Sequence, residues 1–353
     1  MKNVIVQRKI TILNAMKLLD KTAEKCLIVV DENEKLLGTL TDGDIRRSIL
    51  KGFSFSNDIK NSFNKDPKKS NEKDLRKEEV TELLLKYNIS LLPIVDKEGK
   101  VKDYYSLAKL GKKKTDKSDL EKVPVVIMAG GMGTRLKPFT DVLPKPLIPI
   151  DGKPIIEHII ERFTRVGCKN FFITVNHKSK ILKAYFEELN PSYNINFIEE
   201  KKPLGTGGSL RYLIDLIDAP FFVSNCDILI NSDFVEIYNF HKKNHFKFSL
   251  VASTKEYSVP YGTCELDKNG NLSHIKEKPK YDLLINTGFY VLNPEILKTI
   301  PKNEFYHITQ LIHKTNNNGN KVGVFPINDE AWIDVGQWNE YKKAIKELWD
   351  LII

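Results

Sequence analysis

Cysteine is scarce in this sequence, and the cysteines present form no pattern that binds a metal or builds a disulfide framework. The 353 residues include only Cys26, Cys168, Cys226 and Cys264, which lie far apart and form no CxxC pair. Structural zinc sites need clustered ligands, and small secreted proteins need several paired cysteines. The sequence therefore predicts neither kind of site, and a reducing, cytoplasmic location fits it best.

Long apolar runs are also missing. The first residues, MKNVIVQRKITILN, lack the apolar core of roughly 7 to 15 residues that signal peptides carry. No stretch approaches the roughly 18 uninterrupted apolar residues of a membrane span. The composition, 41% apolar and 29% charged, is that of a folded globular protein. We therefore expect neither export nor a membrane partner.

Arginine accounts for only eight of the 55 basic residues, although the net charge is +9. Residues 1–122 contain 27 Lys and Arg against 20 Asp and Glu, a balance of +7, and residues 123–353 contain 28 against 26, a balance of +2. Nucleic-acid-binding surfaces usually cluster Arg and Lys on one face. No such cluster is visible, so we interpret the lysines as a solvated surface and expect no nucleic-acid partner.

The N-terminal region contains an internal repeat with a period of 65 residues, in which Ala15–Leu36 falls on Val80–Val101 without a gap. Each copy has the pattern of an amphipathic helix, a short apolar strand, a polar turn and a second strand. The apolar strands are Cys26–Val30 and Leu91–Val95. A duplicated unit of this kind needs its twin to bury its open face.

The pattern changes after a polar stretch that we interpret as a linker, residues 116–122. Beyond it, short β-rich apolar runs alternate with amphipathic helical stretches such as Ile155–Val166 and Lys178–Leu189, and a closing helix is predicted over Trp338–Ile353. Strands alternating with helices indicate an α/β domain with a mostly parallel sheet. We predict a repeat pair in residues 1–115 (about 1–56 and 62–115) and an α/β domain in residues 123–353.

A glycine-rich turn, Ala129–Leu136, follows the first predicted strand of the α/β domain. Such a turn lets backbone amides approach an anion, at the edge of the sheet where α/β proteins bind ligands. Its spacing fits neither the P-loop nor the dinucleotide-binding motif. Arg135 adds a forked cation suited to a polyphosphate. Taken alone, the segment is equally compatible with a glycine turn that carries a surface arginine.

The longer segment MAGGMGTRLKPFTDVLPKPLIPIDGKPIIEHII resembles the signature of the sugar-1-phosphate nucleotidyltransferases. The resemblance covers about 230 residues and includes five further motifs in the same order. These are Pro203–Gly208, Cys226-Asp227, Glu277-Lys278-Pro279, Asn286-Thr287-Gly288 and Trp332–Gly336. It implies a Rossmann-like fold and an enzyme that joins an NTP to a sugar 1-phosphate and releases pyrophosphate.

The resemblance also implies roles for individual residues. Like-charge repulsion between phosphates is the main barrier to this reaction, so cations are its main requirement. The expected catalytic residues are Arg135, Lys145, Asp227 and Asp334, and Pro144 and Pro146 hold Lys145 at one angle. The expected nucleotide-binding residues are Gly130, Gly131, Gly133, Thr134, Gly205 and Thr206. The expected sugar-phosphate contacts are Gly262, Glu277, Lys278 and Thr287.

Asp227 and Asp334 are the predicted metal ligands, and Mg²⁺ is the predicted cofactor. Asp227 follows an apolar run, so its carboxylate should lie at the carboxyl end of a central strand. Magnesium in such sites takes one or two carboxylates, phosphate oxygens and several waters. As isolated residues, either aspartate would more commonly be a turn or helix-cap residue.

The residues before the Pro203–Gly208 segment bear on the choice of nucleotide. Glu199 and Glu200 precede the Pro203–Gly208 segment in a Glu-rich approach similar to that of guanylyltransferases. A carboxylate would accept from the N1 and N2 donors of guanine, although either glutamate could equally be solvated. We favour GTP with a hexosamine 1-phosphate. Mannose 1-phosphate with GTP, glucose 1-phosphate with UTP, dTTP or CTP, and a catalytically inactive nucleotide sensor are the alternatives.

The N-terminal repeat resembles a tandem CBS pair, a module that often binds adenine nucleotides and associates into homo-oligomers. Thr41 and Asp44 resemble the ribose-binding residues of that family, and they equally fit a helix capping box. In the second copy Ser106 and Lys109 occupy these positions, which argues against a second ribose site. The combination of a CBS pair with a following nucleotidyltransferase domain resembles that of bacterial enzymes that make GDP-activated hexosamine for nine-carbon sugars such as legionaminic acid.

Overall fold

The computed structural model describes residues 4–22, 24–71, 77–87, 89–106, 120–338 and 340–342. They form two compact units. Unit 1 consists of Met1–Thr115 and Thr254–Leu284, and unit 2 of Asp116–Ser253 and Ile285–Ile353. Most of the predicted linker and most of the predicted closing helix lie outside the described residues. Unit 1 includes residues 254–284, which the sequence interpretation had grouped with the α/β domain.

The first part of unit 1 contains two three-stranded sheets, β1-β2-β3 and β4-β5-β6. Its elements are β1 (Ile5–Gln7), α1 (Ile12–Thr22), β2 (Cys26–Val30), β3 (Leu36–Thr41), α2 (Asp42–Leu50), β4 (Ser70–Asn71), α3 (Lys77–Lys86), β5 (Leu91–Val95) and β6 (Val101–Ser106). In each sheet the first strand pairs in parallel with the second, which pairs antiparallel with the third. The predicted helix-strand-turn-strand repeat is therefore present.

The repeat extends to details of the backbone. β2 and β5 are both buried along their whole length, because each lies in the middle of its sheet. Asp31 accepts hydrogen bonds from the amides of Asn33 and Lys35 at 2.9 Å. Asp96 accepts from Glu98 and Lys100 at 2.9 Å in the equivalent turn. An aspartate that caps a tight turn with its own side chain explains why both copies fold alike.

The remaining elements follow in chain order. They are β7 (Val125–Met128), α4 (Phe139–Val142), β8 (Pro149–Ile150), β9 (Lys153–Pro154), α5 (Ile155–Arg165), β10 (Asn170–Val175), α6 (Ser179–Leu189), β11 (Asn194–Glu199), α7 (Gly205–Gly208), β12 (Phe221–Asn225), β13 (Ile228–Ile230), α8 (Phe234–Lys243), β14 (Phe248–Ser258), β15 (Thr263–Leu266), β16 (Leu272–Lys276), β17 (Lys280–Leu292), α9 (Ile308–Asn317), β18 (Val322–Ile327) and β19 (Trp332–Asp334). β15 and β16 form an antiparallel hairpin in unit 1.

The central sheet has seven strands in the order β11-β10-β7-β12-β17-β14-β18. The first four are mutually parallel, β17 pairs antiparallel with β12, and β14 pairs in parallel with β18. The predicted α/β fold with a mostly parallel, mixed sheet is confirmed. Because β7 and β12 are parallel neighbours, the residues that follow them emerge at the same edge of the sheet.

Apolar residues cover both faces of this sheet. On one face α5 buries Ile155, Ile159 and Phe163, and Phe163 packs with its ring centroid 5.3 Å from that of Phe222. A second cluster, which includes Leu210 and Leu213, packs separately. Burial of both faces explains why the strands are continuous apolar runs. None of the described helices is long and apolar enough to cross a membrane.

Candidate active site

The glycine-rich turn follows β7 in unit 2 and has a backbone that requires glycine. Gly133 has a φ of 68°, in the left-handed region that glycine tolerates. A Cβ atom at Gly133 would lie 2.8 Å from Cγ2 of Thr140 and 3.0 Å from Cβ of Lys145. The Thr140 hydroxyl donates to the Gly133 carbonyl at 3.0 Å. The turn therefore packs directly against Lys145.

Arg135 and Thr134 belong to a short 3-10 turn, Thr134–Leu136, anchored by the fully buried Leu136. The side chains of Thr134 and Arg135 are both exposed. Space is open at the Cβ position of Gly131. The anchored turn thus presents a cation next to backbone that a ligand can approach.

Lys145 is a buried cation held by its surroundings. It begins the 3-10 turn Lys145–Leu147, between Pro144 and Pro146, and is only 9% exposed. Its ammonium group donates to Oδ2 of Asp227, so the two residues form a buried ion pair. Burial of a charge is tolerated because the partner charge lies beside it. The pair joins the segment after the glycine-rich turn to the end of β12.

Asp227 and Asp334 converge although they come from different strands. Asp227 lies two residues beyond β12, and β13 then pairs antiparallel with β19, in a register that sets Ile228 opposite Asp334. A Cβ atom at Gly336 would clash with Oδ2 of Asp227 and would lie 2.9 Å from Oδ1 of Asp334. The Gly336 amide donates to Oδ1 of Asp334 at 2.8 Å. Gly336 therefore leaves room for two neighbouring carboxylates.

The environment of Asp334 opposes its ionisation. Burial raises the pKa of the Asp334 carboxyl, and the negative charge of Asp227 raises it further. The Gly336 hydrogen bond and the positive charges of Lys145 and Arg135 act in the opposite direction. A carboxyl group whose charge is disfavoured by a neighbouring carboxylate favours the binding of a cation between the two.

The pair of carboxylates fits magnesium. Among the residues that the structure describes, no group of three or more His, Cys, Asp and Glu is placed to hold a metal ion. Magnesium commonly uses one or two protein carboxylates and takes its other ligands from phosphates and water. Asp227 and Asp334 would hold the ion, and a bound nucleotide would have to supply the remaining oxygens.

Glu200 lies against the other side of the glycine-rich turn. Its side chain is 7% exposed, and a Cβ atom at Gly130 would clash with its Oε1. Oε2 accepts a hydrogen bond from the Leu204 amide at 3.1 Å. Burial raises the pKa of the Glu200 carboxyl, although the Leu204 hydrogen bond opposes this. Glycine at position 130 therefore lets an unusually buried carboxylate reach the turn.

The neighbouring Glu199 is different. It is the last residue of β11, is exposed, and forms an ion pair with Lys183 at 2.6 Å. The sequence left open which of the two glutamates approaches the nucleotide. Successive strand residues point to opposite sides, and only Glu200 turns toward the glycine-rich turn.

The Pro203–Gly208 segment is fixed by the region before α9. Gly205 has a φ of 75°, and a Cβ atom there would lie 2.8 Å from the Tyr306 carbonyl oxygen. That carbonyl accepts from the amides of Gly207 and Gly208 at 2.9 and 3.1 Å. The Thr206 hydroxyl oxygen accepts from the Ile308 amide at 3.1 Å. Thr206 thus supports the start of α9, a role that the sequence interpretation missed.

Thr287 is committed to the core of unit 2. It is 2% exposed, and its hydroxyl donates to the Val251 carbonyl at 2.8 Å. A Cβ atom at Gly288, whose φ is 86°, would clash with the Asn225 amide group. Any contact that Thr287 makes to a sugar must therefore use its backbone. Asn225, the last residue of β12, was not predicted, and only its position two residues before Asp227 signals it.

Three predicted sugar-phosphate contacts lie in unit 1. Glu277 and Lys278 follow the β15–β16 hairpin and are exposed, and Lys278 has a φ of 43°. A Cβ atom at Gly262 would lie 3.0 Å from Oε2 of Glu277. The structure therefore brings Gly262 and Glu277 together at the base of the hairpin.

Thr41 and Asp44 form a complete capping box at the start of α2. Oδ2 of Asp44 accepts from the Thr41 amide at 2.9 Å and from the Thr41 hydroxyl at 2.6 Å. Asp44 also pairs with Arg47. Both side chains are thus used to begin the helix. Lys109, the second-copy equivalent of Asp44, lies outside the described residues.

Comparison with known families agrees with this arrangement. Residues 124–350 match the nucleotidyl transferase model, and residues 1–51 match the CBS domain model. The chain belongs to the nucleotidyl transferase family. The matched region of this nucleotidyl transferase starts one residue before β7 and includes the glycine-rich turn, Lys145 and both aspartates.

Curated relatives have matching segments of the same kind. A mannose-1-phosphate guanyltransferase of Yarrowia lipolytica is 36% identical over 184 residues, half of each chain. Mannose-1-phosphate guanyltransferase 2 of Candida glabrata is 32% identical over 226 residues, 61% of this chain and 62% of that one. The chain spans about half to three fifths of the length of these relatives.

Among solved structures, HddC from Yersinia pseudotuberculosis is similar, with a TM-score of 0.52 and 26% sequence identity. The match covers 64% of this chain and 99% of HddC. More than a third of this chain therefore has no counterpart in the HddC structure.

Proposed function

We propose that this nucleotidyl transferase joins GTP to a hexosamine 1-phosphate with Mg²⁺ and releases pyrophosphate. A phosphate oxygen of the sugar 1-phosphate attacks the α-phosphorus and forms a new P–O bond. The bond from the α-phosphorus to the oxygen that bridges the α- and β-phosphates breaks, and pyrophosphate leaves with that oxygen and the electron pair. The observation that carries the proposal is the buried Lys145–Asp227 pair beside Asp334, packed against the glycine-rich turn.

The protein's own groups address the repulsion between phosphates. Lys145 supplies a positive charge at a fixed position, because two prolines restrict its backbone and Asp227 pairs with its ammonium. Arg135 supplies a second, exposed cation. Magnesium, when bound by Asp227 and Asp334, would neutralise further phosphate charge. Charge stabilisation of this kind needs no protein nucleophile.

Glu200 supports guanine as the base. A buried carboxylate is a hydrogen-bond acceptor, and guanine presents the N1 and N2 hydrogens as donors on one edge. Oε1 of Glu200 lies at the position where any side chain on residue 130 would collide with it, so glycine there lets the carboxylate lie directly against the backbone of the glycine-rich turn. The names of the curated relatives also favour a guanyltransferase.

Two observations bear on the identity of the sugar 1-phosphate, and they favour different sugars. The CBS pair in front of the transferase favours a hexosamine 1-phosphate, whereas the relatives' names favour mannose 1-phosphate. Sugar pockets can differ by a single hydrogen bond. Mannose 1-phosphate is therefore the second candidate.

We also propose that the CBS pair binds an adenine nucleotide and joins copies of the chain into a homo-oligomer. The support is the match of residues 1–51 to the CBS model and the repeated fold of unit 1. Light scattering of the full chain, with and without AMP or ATP, tests whether the chain forms an oligomer, and a titration with AMP tests binding. A chain that stays monomeric and does not bind AMP would contradict both parts.

The main experiment measures pyrophosphate release with MgCl₂ over a grid of substrates. GTP, UTP, dTTP, CTP and ATP are each combined with glucosamine, N-acetylglucosamine, mannose and glucose 1-phosphates. Turnover with GTP and a glucosamine phosphate supports the proposal, and turnover with GTP and mannose 1-phosphate supports the second candidate. A pyrimidine requirement contradicts the guanylyltransferase proposal. A folded chain that binds nucleotides but is inactive throughout indicates a sensor.

A further inference from the structure

One contact in unit 1 joins the first CBS repeat to the strand that follows the predicted sugar-phosphate residues. Oδ2 of Asp282, in β17, accepts a hydrogen bond from the Ser54 hydroxyl and another from the Phe55 amide at 3.0 Å. Ser54 and Phe55 belong to the loop after α2, and Asp282 is more than two hundred residues away in the chain. Because two donors of one loop bind the same oxygen, the orientation of the Asp282 carboxylate relative to the loop is fixed.

Loop 53–57 is a rigid partner. Phe55 is 3% exposed and packs in the core of the first repeat. The Phe55 carbonyl accepts from the Leu13 amide at 3.1 Å, and the Asn57 carbonyl accepts from the Ile12 amide at 2.9 Å, both at the start of α1. The Asn57 side chain accepts from the Ser54 amide at 2.7 Å. The donors to Asp282 are therefore positioned by the CBS repeat itself.

The same loop is the direct continuation of α2. Gly52, with a φ of 87°, lets the chain leave the helix, and the Phe53 amide still donates to the Ser48 carbonyl at 3.1 Å. The other end of α2 carries the Thr41–Asp44 capping box. Nine helical residues span about 13 Å. The predicted nucleotide position and the Asp282 contact thus lie at the two ends of one short helix.

On its other side Asp282 is close in sequence to the predicted sugar-phosphate residues. β17 begins at Lys280, directly after Glu277-Lys278-Pro279. The Pro279 carbonyl accepts from the Val259 amide at 3.0 Å, which closes the base of the hairpin, where Gly262 lies. A rigid contact at Asp282 therefore restrains the position of the whole segment.

The second oxygen of Asp282 takes no part in these hydrogen bonds. Oδ1 is buried and has no hydrogen-bond partner among the residues that the structure describes. A buried acceptor without a donor is unfavourable, so such groups call for an explanation other than packing. Asparagine or serine would satisfy the loop donors without burying a charge.

We propose that Asp282 is a positioning residue that ties the sugar-phosphate segment, residues 262–278, to the first CBS repeat, so that affinity for the sugar 1-phosphate depends on this contact. The proposal rests on the function proposed above, through the roles of Gly262, Glu277 and Lys278. It also gives the CBS repeat a direct physical route to the sugar side of the reaction.

The test compares full-length Asp282→Ala and Ser54→Ala with the wild type. Asp282→Ala should raise KM for the sugar 1-phosphate about tenfold, because two hydrogen bonds to a charged group are lost. KM for GTP should stay within twofold. Ser54→Ala should have a smaller effect in the same direction, and the double variant should not exceed Asp282→Ala. Glu32→Gln is the control, since it removes an exposed partner of Lys9 in the same repeat.

Hydrogen exchange supplies a readout that does not depend on turnover. Loss of the acceptor should speed exchange of the Phe55 amide and of amides in residues 262–278, and Glu32→Gln should leave both unchanged. An unchanged sugar KM in both variants, or equal changes in both substrates' KM, would overturn the proposal. If the wild type shows no turnover at all, the proposed function fails. Hydrogen exchange alone then tests whether Asp282 links the two segments.

Discussion

The two sites that motifs predicted, one in the nucleotidyl transferase part and one in the first CBS repeat, treat their aspartates in opposite ways. Asp44 has its charge satisfied at the start of its own helix, by the N-cap residue Thr41 and by Arg47. Asp334 lies beside a second carboxylate and has a raised pKa. A carboxylate that is hydrogen-bonded and ion-paired within its own helix stabilises the fold. Two carboxylates that lie side by side instead favour the binding of a cation. Asp334 therefore belongs to a candidate catalytic site, whereas Asp44 belongs to a motif that caps a helix.

The largest effect is expected at Asp227. Asp227→Asn removes one of the two neighbouring carboxylates and the partner of Lys145, so pyrophosphate release should fall by about 10³-fold. Asp215→Asn is the matched control, because Asp215 is an exposed aspartate of the same unit. Circular dichroism would show that both variants fold. A loss of less than tenfold in Asp227→Asn would show that turnover does not depend on the two neighbouring carboxylates.

Glu200 and Glu199 offer an adjacent pair for the next largest effect. Glu200→Gln keeps the size of the side chain but places an amide where an acceptor is expected, so kcat/KM with GTP should fall by about 10- to 100-fold. Glu199→Gln should change it by less than twofold, because Glu199 is exposed and paired with Lys183. Equal effects of the two substitutions would show that burial at the glycine-rich turn does not select the base.

The CBS side of the comparison is tested by Thr41→Ala. Loss of the N-cap should lower the free energy of unfolding by about 1 kcal/mol, measured by urea denaturation. Thr41→Ser should restore it, since serine keeps the hydroxyl. Turnover without adenine nucleotide should be unchanged. If Thr41→Ala instead abolishes AMP binding and leaves the free energy of unfolding unchanged, the Thr41 hydroxyl contributes to nucleotide binding and not to helix stability.

The smallest effect concerns a buried ionisable residue outside both sites. His241 is 1% exposed and hydrogen-bonds to Ser249 at 2.8 Å and to Asn293 at 3.1 Å. Burial lowers the pKa of His241, so the unfolded chain binds its proton more readily than the folded protein does. Stability should therefore fall as pH drops below about 6.5, with a slope of at most about 1.4 kcal/mol per pH unit.

His241→Gln should remove that part of the slope, and turnover at pH 8 should be kept within twofold. Urea denaturation of both proteins between pH 5 and 8 measures it. An identical slope in the two proteins would assign the acid sensitivity to other groups. Lost turnover would place His241 in the active site and contradict its assignment as a buried residue outside both sites.

Much of the fold could be predicted from local pattern. The strands Cys26–Val30 and Leu91–Val95 were predicted with the bounds that the structure shows, because a run of apolar residues between polar turns has few other conformations. The helix Ile155–Arg165 ends one residue before its predicted end. The grouping of residues 254–284 with the CBS repeat could not be predicted, since it depends on contacts between distant segments.

The candidate site was only partly visible in the sequence. Motifs indicated Lys145, Asp227 and Asp334, but neither Gly336 nor Asn225 was singled out as a necessary neighbour. Gly336 is required because a Cβ there would collide with Asp227. A glycine that looks like a turn residue in the sequence is thus explained by side chains that only the folded structure brings to it.

The sequence by itself determined which elements form, that the N-terminal unit is duplicated, and which residue types carry phosphate chemistry, because periodicity, turn residues and motif spacing are local properties. Only the tertiary structure decided that Lys145 pairs with Asp227, 82 residues away, and that Glu200 rather than Glu199 is buried. These outcomes depend on which strands become neighbours and which face of each strand turns inward. Strand pairing is a property of the whole chain, and no local pattern contains it.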